Sequence, residues 1–309
     1  MSILVKADTR ILVQGITGRE AATFTKESLD YGAKIVAGVT PGKGGTTLHQ
    51  VPVFDTVAEA VDIHACEATI ISVPPAFVLD AAYEALHNGI KLLVIVTERI
   101  PRSDVVALLE AAAKHNARVI GPNSLGIISP GQTRIGMAGG NVEAVHRAYT
   151  PGNVAVVSRS GGMMTEIASM LTQKGIGQST CVSIGGDPVV GSNVLDLLPL
   201  FDADDGTGAL VMYAEPGGGA EEALAEHLLT HHVRLPIIAF IAGRFTDQMQ
   251  GVRFGHSGTI VEGNKGSPAG KARLLQEAGV LVADRLSQIP ELVKHALKTG
   301  QSDGYLYKN

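Results

Sequence analysis

Short apolar runs such as Ile11-Leu12-Val13, Leu92-Leu93-Val94-Ile95 and Leu210-Val211-Met212 alternate along the chain with longer amphipathic stretches. Each run closes in glycine, proline or a small polar residue. Runs of this length and continuous apolarity read as strands covered on both faces, and the stretches between them have the period of helices packed on one face. Such alternation predicts parallel strands joined by crossover helices. In the first half, strands are expected at 11–14, 34–38, 68–73, 92–96 and 118–120, and helices at 19–31, 57–63, 76–87 and 103–115.

The rhythm breaks over residues 126–150, where Pro130, Gly131, Gly136, Gly139 and Gly140 predict a connector running over the surface. It then restarts, with strands expected at 154–158, 180–184, 209–213, 237–241 and 280–282 and helices at 163–174, 194–201, 220–229, 269–278 and 286–297. Two successive doubly wound α/β domains are the simplest topology. In such folds ligands bind beyond the carboxyl ends of the strands, so motifs at strand ends carry the most information.

A length of 309 residues agrees with two domains at about 150 residues each, and 45% hydrophobic residues exclude a disordered chain. The 37 glycines have no triplet period, which excludes collagen; with 4% aromatic residues and no tryptophan they describe an interior with many tight turns. The formal charge of −5 gives no basic field for a nucleic acid. Cys66 and Cys181 stand in no metal-ligand or disulfide spacing and suit a reducing cytoplasm. Neither a secretory leader nor a membrane-spanning run is expected.

The first strand runs into Gly15-Ile16-Thr17-Gly18-Arg19-Glu20 and a helix. This is a G-x-x-G turn, one glycine short of the dinucleotide fingerprint. Its glycines let a phosphate approach the positive end of the helix, the alternative being a plain tight turn. The acidic residue that holds a dinucleotide ribose is absent after the second strand, which continues into Val39-Thr40-Pro41-Gly42-Lys43-Gly44-Gly45-Thr46-Thr47. A lysine there favours a phosphorylated ribose. The spacing of a triphosphate loop is not met, and Gly44 stands where a magnesium-binding hydroxyl belongs, so any nucleoside triphosphate has to come with another subunit.

In the second half, Ser158-Arg159-Ser160-Gly161-Gly162 closes a strand and opens a helix, aiming backbone N–H groups at an anion, although strand-to-helix turns of this type are common. Ile184-Gly185-Gly186-Asp187-Pro188 and Tyr213-Ala214-Glu215-Pro216-Gly217-Gly218-Gly219 end two further strands on the same edge. Among ten histidines, His256 is set apart by its glycine-flanked setting, Gly255-His256-Ser257-Gly258, which leaves room for a group to attach to a nucleophilic ring. His231 and His232 face different ways without partners at ligand spacing, which predicts solvated side chains and no metal on this chain.

These segments, together with Thr97-Glu98, Gly121-Pro122-Asn123 and Gly177-Gln178-Ser179-Thr180-Cys181, resemble the α subunit of succinyl-CoA synthetase along nearly the whole chain. The resemblance implies a Rossmann-like CoA-binding domain over residues 1–127 and a flavodoxin-like ligase domain over 128–309 that carries a transiently phosphorylated histidine. It also implies an ATP-grasp β subunit holding ATP or GTP with Mg²⁺, in an αβ or α₂β₂ assembly. Carried over residue by residue, it assigns Thr17, Gly18, Arg19, Glu20, Lys43, Val96, Thr97 and Glu98 to coenzyme A. His256 takes the phosphoryl group, Glu215 orients its imidazole, and Ser160, Gly161, Gly162 and Thr165 receive phosphate and the carboxylic acid.

The chain departs from the family pattern in places. Thr165 replaces a tyrosine tied to the carboxylate substrate, Ser124 replaces a cysteine, and Arg19 and Glu20 replace small and amide residues. The segment before His256 lacks the family's Ala-Pro-Lys-Gly run, and Val252-Arg253-Phe254-Gly255-His256 and Ser158-Arg159-Ser160-Gly161-Gly162-Met163 look more like ATP-citrate lyase and citryl-CoA synthetase. The expected activity is that of a succinate–CoA ligase α subunit of the tricarboxylic acid cycle, with citrate or malate as alternative acids. A CoA-binding protein without catalysis is a further alternative, opposed by His256 and Glu215 together. A nicotinamide oxidoreductase is opposed by the missing ribose-binding acid.

Overall fold

The structure is a computed structural model that describes residues 2–245, 256 and 266–302. The first sheet comprises β1 (Arg10–Gln14), β2 (Lys34–Val39), β3 (Thr47–Leu48), β4 (Val51–Phe54), β5 (Ala68–Ile71), β6 (Leu92–Ile95) and β7 (Arg118–Ile120). Its order is β3-β4-β2-β1-β5-β6-β7, and every neighbouring pair is parallel except β3 with β4. Helices α1 (Arg19–Asp30), α2 (Val57–Ile63), α3 (Val78–His87) and α4 (Arg102–Lys114) make the crossovers. Because helices cover both faces, β5 and β6 are buried at every position. Apart from the β3 hairpin strand this is the Rossmann order, with its switch point between β1 and β5.

The second sheet comprises β8 (Gly126–Ser129), β9 (Thr133–Gly136), β10 (Pro151–Ser158), β11 (Gln178–Ser183), β12 (Ala209–Ala214), β13 (Ile237–Ile241) and β14 (Leu281–Ala283). Its order is β14-β13-β12-β10-β11-β8-β9. The five strands from β10 to β14 are parallel in the flavodoxin-like order, with the switch point between β10 and β12. Helices α5 (Val142–Ala148), α6 (Gly161–Gln173), α7 (Val194–Asp202), α8 (Ala220–Thr230), α9 (Pro268–Glu277) and α10 (Ile289–Ser302) complete the described chain. The expected strands are all present, each within three residues of its anticipated limits.

The surface connector expected over 126–150 is instead an antiparallel hairpin, β8–β9, joined to β11, followed by α5. All eight hairpin residues are buried. The glycines that suggested a loop serve close backbone pairing: Gly126 has φ +93°, and a Cβ there would lie 1.9 Å from the Ile135 carbonyl oxygen. This hairpin also joins the two halves. Arg134 on β9 is fully buried and donates to Ser28 Oγ on α1 at 3.3 Å and to the carbonyl of Ala138 at 3.1 Å, with Glu27 Oε2 3.6 Å away.

Candidate active site

The flavodoxin-like switch point places three loops side by side. Ser158 pairs with Ser183 on β11 and with Tyr213 on β12, so the residues that follow those strands, Arg159, Gly185-Gly186 and Glu215, emerge together at the carboxyl edge. His256 lies among them: its Nδ1 is 2.7 Å from Glu215 Oε2, with the Glu215 side chain only 12% exposed. The ring rests on bare backbone. A Cβ on Gly186 would come within 2.5 to 2.7 Å of its Cδ2, Cγ and Nε2 atoms. The hydrogen bond to the Glu215 carboxylate holds the His256 imidazolium above the usual histidine range; burial opposes this, the Glu215 charge adds to it, Arg159 opposes it and Asp187 adds to it.

The surrounding groups are themselves fixed. Arg159 Nη2 donates to the carbonyls of Asp187 at 3.0 Å and Gly186 at 3.4 Å, so the guanidinium supports the loop under the imidazole. Ser160 caps α6, its Oγ accepting from Met163 N at 3.4 Å, and Gly161 and Gly162 form the first helical turn. A Cβ on Gly161 would meet Leu125 at 2.2 Å, whereas among the described residues nothing lies within 4 Å of one on Gly162. Thr165, one turn further, has Oγ1 3.3 Å from the Gly161 carbonyl and 2.9 Å from the hydroxyl of buried Tyr149. Beside Glu215 a cavity of about 280 Å³ reaches Arg159, Asn193, Tyr213 and the start of α8.

The Rossmann switch point builds a second hollow. Gln14 pairs with Ile71, and Ile71 with Ile95, so the loops after β1, β5 and β6 share one edge. They line a cavity of about 620 Å³ containing Gly18, Arg19, Glu20, Val96, Thr97 and Glu98. Gly15 makes the entry turn: at φ +78° a side chain there would run into the Ser72 carbonyl at 2.4 Å. Gly18 is the N-cap of α1 and supplies no capping side chain, so the first amides of the helix border the hollow uncapped by their own sequence. Thr97 is held by its Oγ1 donating to the Val73 carbonyl at 2.7 Å.

Six of the eight residues assigned to coenzyme A thus line one cavity, and two do not. Thr17 Oγ1 bonds Thr40 Oγ1 at 3.2 Å, tying the G-x-x-G turn to the lysine loop, and Lys43 is exposed on that loop outside the cavity wall. Gly255, Ser257, Gly258 and residues 252–254 lie outside the described residues. His231 is exposed, stacked on His227 with ring centroids 4.2 Å apart, and among the described residues no group of three or more His, Cys, Asp or Glu side chains is placed to hold a metal ion. Among the described residues no helix is long and apolar enough to cross a membrane.

Two features escaped the sequence reading. Asn123 joins the two sites: its N–H donates to the Thr97 carbonyl at 2.9 Å, its carbonyl accepts from Gly186 N at 3.2 Å, and its Nδ2 donates to Asp187 Oδ1 at 3.1 Å. Lys271, 1% exposed on α9, binds the carbonyl oxygens of Glu215 and Gly217 and the Glu221 carboxylate. Asn123 stood in a recognised motif without an assigned role. Lys271, in a helix of ordinary polar composition, gave no signal.

Residues 6–99 match the family model described as CoA binding domain, and residues 151–296 match that of the succinyl-CoA ligase like flavodoxin domain. The chain is 42% identical over 298 residues to the succinate–CoA ligase [ADP-forming] subunit alpha 1 of Archaeoglobus fulgidus, covering 96% of this chain and 99% of that one. It is 38% identical over 294 residues to the ADP-forming sulfoacetate-CoA ligase subunit SqwL of an Acholeplasma species, covering 95% and 98%. Its fold is that of ATP citrate lyase from Methanothrix soehngenii, with a TM-score of 0.90 at 24% identity over 99% of this chain and 52% of that one. With both domain families in order and a relative of this identity along nearly its full length, the chain belongs to the family of succinate–CoA ligase α subunits.

Proposed function

We propose that this chain is the α subunit of a nucleoside-triphosphate-dependent succinate–CoA ligase and that His256 carries the phosphoryl group between its half-reactions. The observation that carries the reading is the 2.7 Å bond from His256 Nδ1 to Glu215 Oε2 at the flavodoxin-like switch point. A carboxylate on Nδ1 selects the tautomer whose lone pair is on Nε2 and stabilises the positive charge that grows on the ring during attack. Nε2 attacks the γ-phosphorus as the bond to the nucleoside diphosphate breaks. A carboxylate oxygen of the acid then takes the phosphoryl group from Nε2, and the coenzyme A thiolate attacks the resulting acyl phosphate, releasing inorganic phosphate.

Arg19, Glu20, Val96, Thr97 and Glu98 bind coenzyme A in the cavity they line, with the pyrophosphate at the amides that follow Gly18. Thr17 orders the turn, and Lys43 answers the ribose phosphate from its exposed loop. Ser160, Gly161 and Gly162 offer the start of α6 to the phosphoryl group, and Thr165 borders the acid. The triphosphate and Mg²⁺ belong to an ATP-grasp β subunit. Two free thiols, Cys66 half-buried with its pKa pushed by burial to about 11 and Cys181 fully buried, fit a cytoplasmic enzyme.

The test is labelling of the complex with the partner subunit by γ-³²P nucleotide. An acid-labile, base-stable phosphate is expected on the wild-type chain and its loss in His256→Asn; undiminished label in that variant removes the mechanism. The acid is decided by comparing kcat/KM for succinate, citrate, malate and sulfoacetate, with succinate expected first.

A further inference from the structure

We propose that Lys271 is a positioning residue: by binding the carbonyl oxygens of Glu215 and Gly217 and the carboxylate of Glu221, it fixes the backbone from which Glu215 reaches His256. This inference rests on the reading of His256 as phosphoryl acceptor for its significance, but its geometry stands apart from that reading.

The segment that leaves β12 has little rigidity of its own. Glu215 is followed by Pro216 and three glycines, with Gly217 at φ +84° and Gly218 at φ +66°. Among the described residues nothing lies within 4 Å of where a Cβ would stand on Gly218 or Gly219, so packing against described side chains does not brace the loop there. Polar bonds brace it instead. Gly217 N donates to the Gly266 carbonyl at 2.8 Å, Gly266 N donates to Glu222 Oε1 at 3.0 Å, and the Lys271 ammonium takes the two carbonyls on either side of Pro216.

The location of this lysine is unfavourable on general grounds. Lys271 is 1% exposed and Glu221 5% exposed, so both charges have left water. Lys271 also lies in the first turn of α9, where the helix dipole opposes a cation. A buried ion pair of this kind is a poor stability device compared with an apolar pair of the same volume. What the ammonium supplies, and an apolar side chain would not, is three N–H donors meeting three acceptors around one nitrogen, two of them main-chain oxygens of the loop that bears Glu215. Proton and phosphoryl chemistry is sensitive to displacements of about 1 Å, which change rates by roughly a hundredfold.

The test uses the full complex with its β partner and two variants. Lys271→Met combined with Glu221→Leu removes both buried charges and keeps the volume. Lys271→Arg keeps the ion pair but has a planar donor set that does not converge on three acceptors. The first readout is the titration of the His256 ring, followed by NMR with labelled imidazole and assigned with His256→Gln. His256 faces Glu215, Arg159 and Asp187, and of these only Glu215 is carried by the loop that Lys271 binds. The second is the rate of ³²P incorporation, with coenzyme A affinity by calorimetry reporting on the fold of the first domain.

Both variants are expected to bind coenzyme A as the wild type does, to move the His256 titration to lower pH, and to lose roughly ten- to a hundredfold in phosphorylation rate. A titration and rate equal to those of the wild type in either variant would overturn the proposal, leaving the pair a purely structural one. If the wild-type chain itself takes no label, the reading of His256 as phosphoryl acceptor fails separately; the ring titration then still decides whether Lys271 positions Glu215.

Discussion

Replacing Glu215 with glutamine changes the charge beside His256 while keeping the shape of the side chain. The bond it alters is 2.7 Å long, within the range of charge-assisted hydrogen bonds, and the carboxylate is 12% exposed. Hydrogen bonds to charged groups contribute about 1.5–3 kcal/mol. If that is realised as positive charge builds on the ring, phosphorylation should slow by roughly 10- to 150-fold on the alkaline plateau. The amide also has a second face. Turned over, it donates to Nδ1 and selects the tautomer with its proton on Nε2, which adds to the loss.

The pH dependence separates this account from mere disruption. In the proposed mechanism neutral imidazole is the nucleophile, so the rate climbs with pH through the His256 pKa, which the bond to Glu215 holds above the ordinary value. Glu215→Gln moves that limb to lower pH and lowers its plateau, so the variant's deficit shrinks toward acid. Stability runs the other way. A histidine raised on folding contributes stabilisation that is complete below its unfolded pKa, about 6.5, and disappears as pH rises through the folded value. The wild type should therefore exceed the variant in stability on the acid side only. Rapid-quench ³²P incorporation and urea denaturation across the same pH series check both. An unshifted limb with an equal plateau would refute the role of the carboxylate.

Gly186→Ala should abolish labelling of His256 with coenzyme A affinity retained, because the new methyl would stand 2.5 to 2.7 Å from the ring; normal labelling would show that the ring has another resting place. Gly126→Ala should destabilise the protein by about 3 kcal/mol or more, read from the urea midpoint, since its Cβ collides with the Ile135 carbonyl at a positive φ; an unchanged midpoint refutes this. Arg134→Met leaves the carbonyls of Ala138 and Gly140 without their donor and should cost about 1–3 kcal/mol, measured the same way.

Much of this architecture was legible because strands buried on both faces write continuous apolar runs, and those runs located the edges at which Gly18, Thr97, Arg159 and Glu215 emerge. Glycine was harder to read. Gly126 and Gly136 have the composition of a loop, yet they are the residues that let β8 and β9 approach. Whether a glycine marks a turn or a close approach depends on what lies opposite, which is a long-range fact. Lys271 was silent for a similar reason: in sequence it is one cation among the 25 lysines and arginines, and only the fold brings it under Glu215. Lys43 was conspicuous in sequence, as a cation in a glycine loop, and stands outside the cavity wall.

The two switch points belong to different sheets, and the chemistry proposed for them requires a phosphoryl group and an acyl acceptor to meet. The segment between β7 and β8 supplies the connection. Within it Asn123 grips the Thr97 carbonyl on one side and the Gly186 amide and Asp187 carboxylate on the other, while Leu125 both lines the larger cavity and occupies the space a side chain on Gly161 would need. The wall of the Rossmann cavity is thus also the floor beneath the start of α6. Arg134 adds a second tie across the halves, from β9 to α1. With two independent bridges, both built from buried or half-buried polar groups, rotation of one sheet against the other would break several satisfied hydrogen bonds at once. The distance between the cavity assigned to coenzyme A and the bed under His256 is therefore set by the bonds of Asn123 and Arg134.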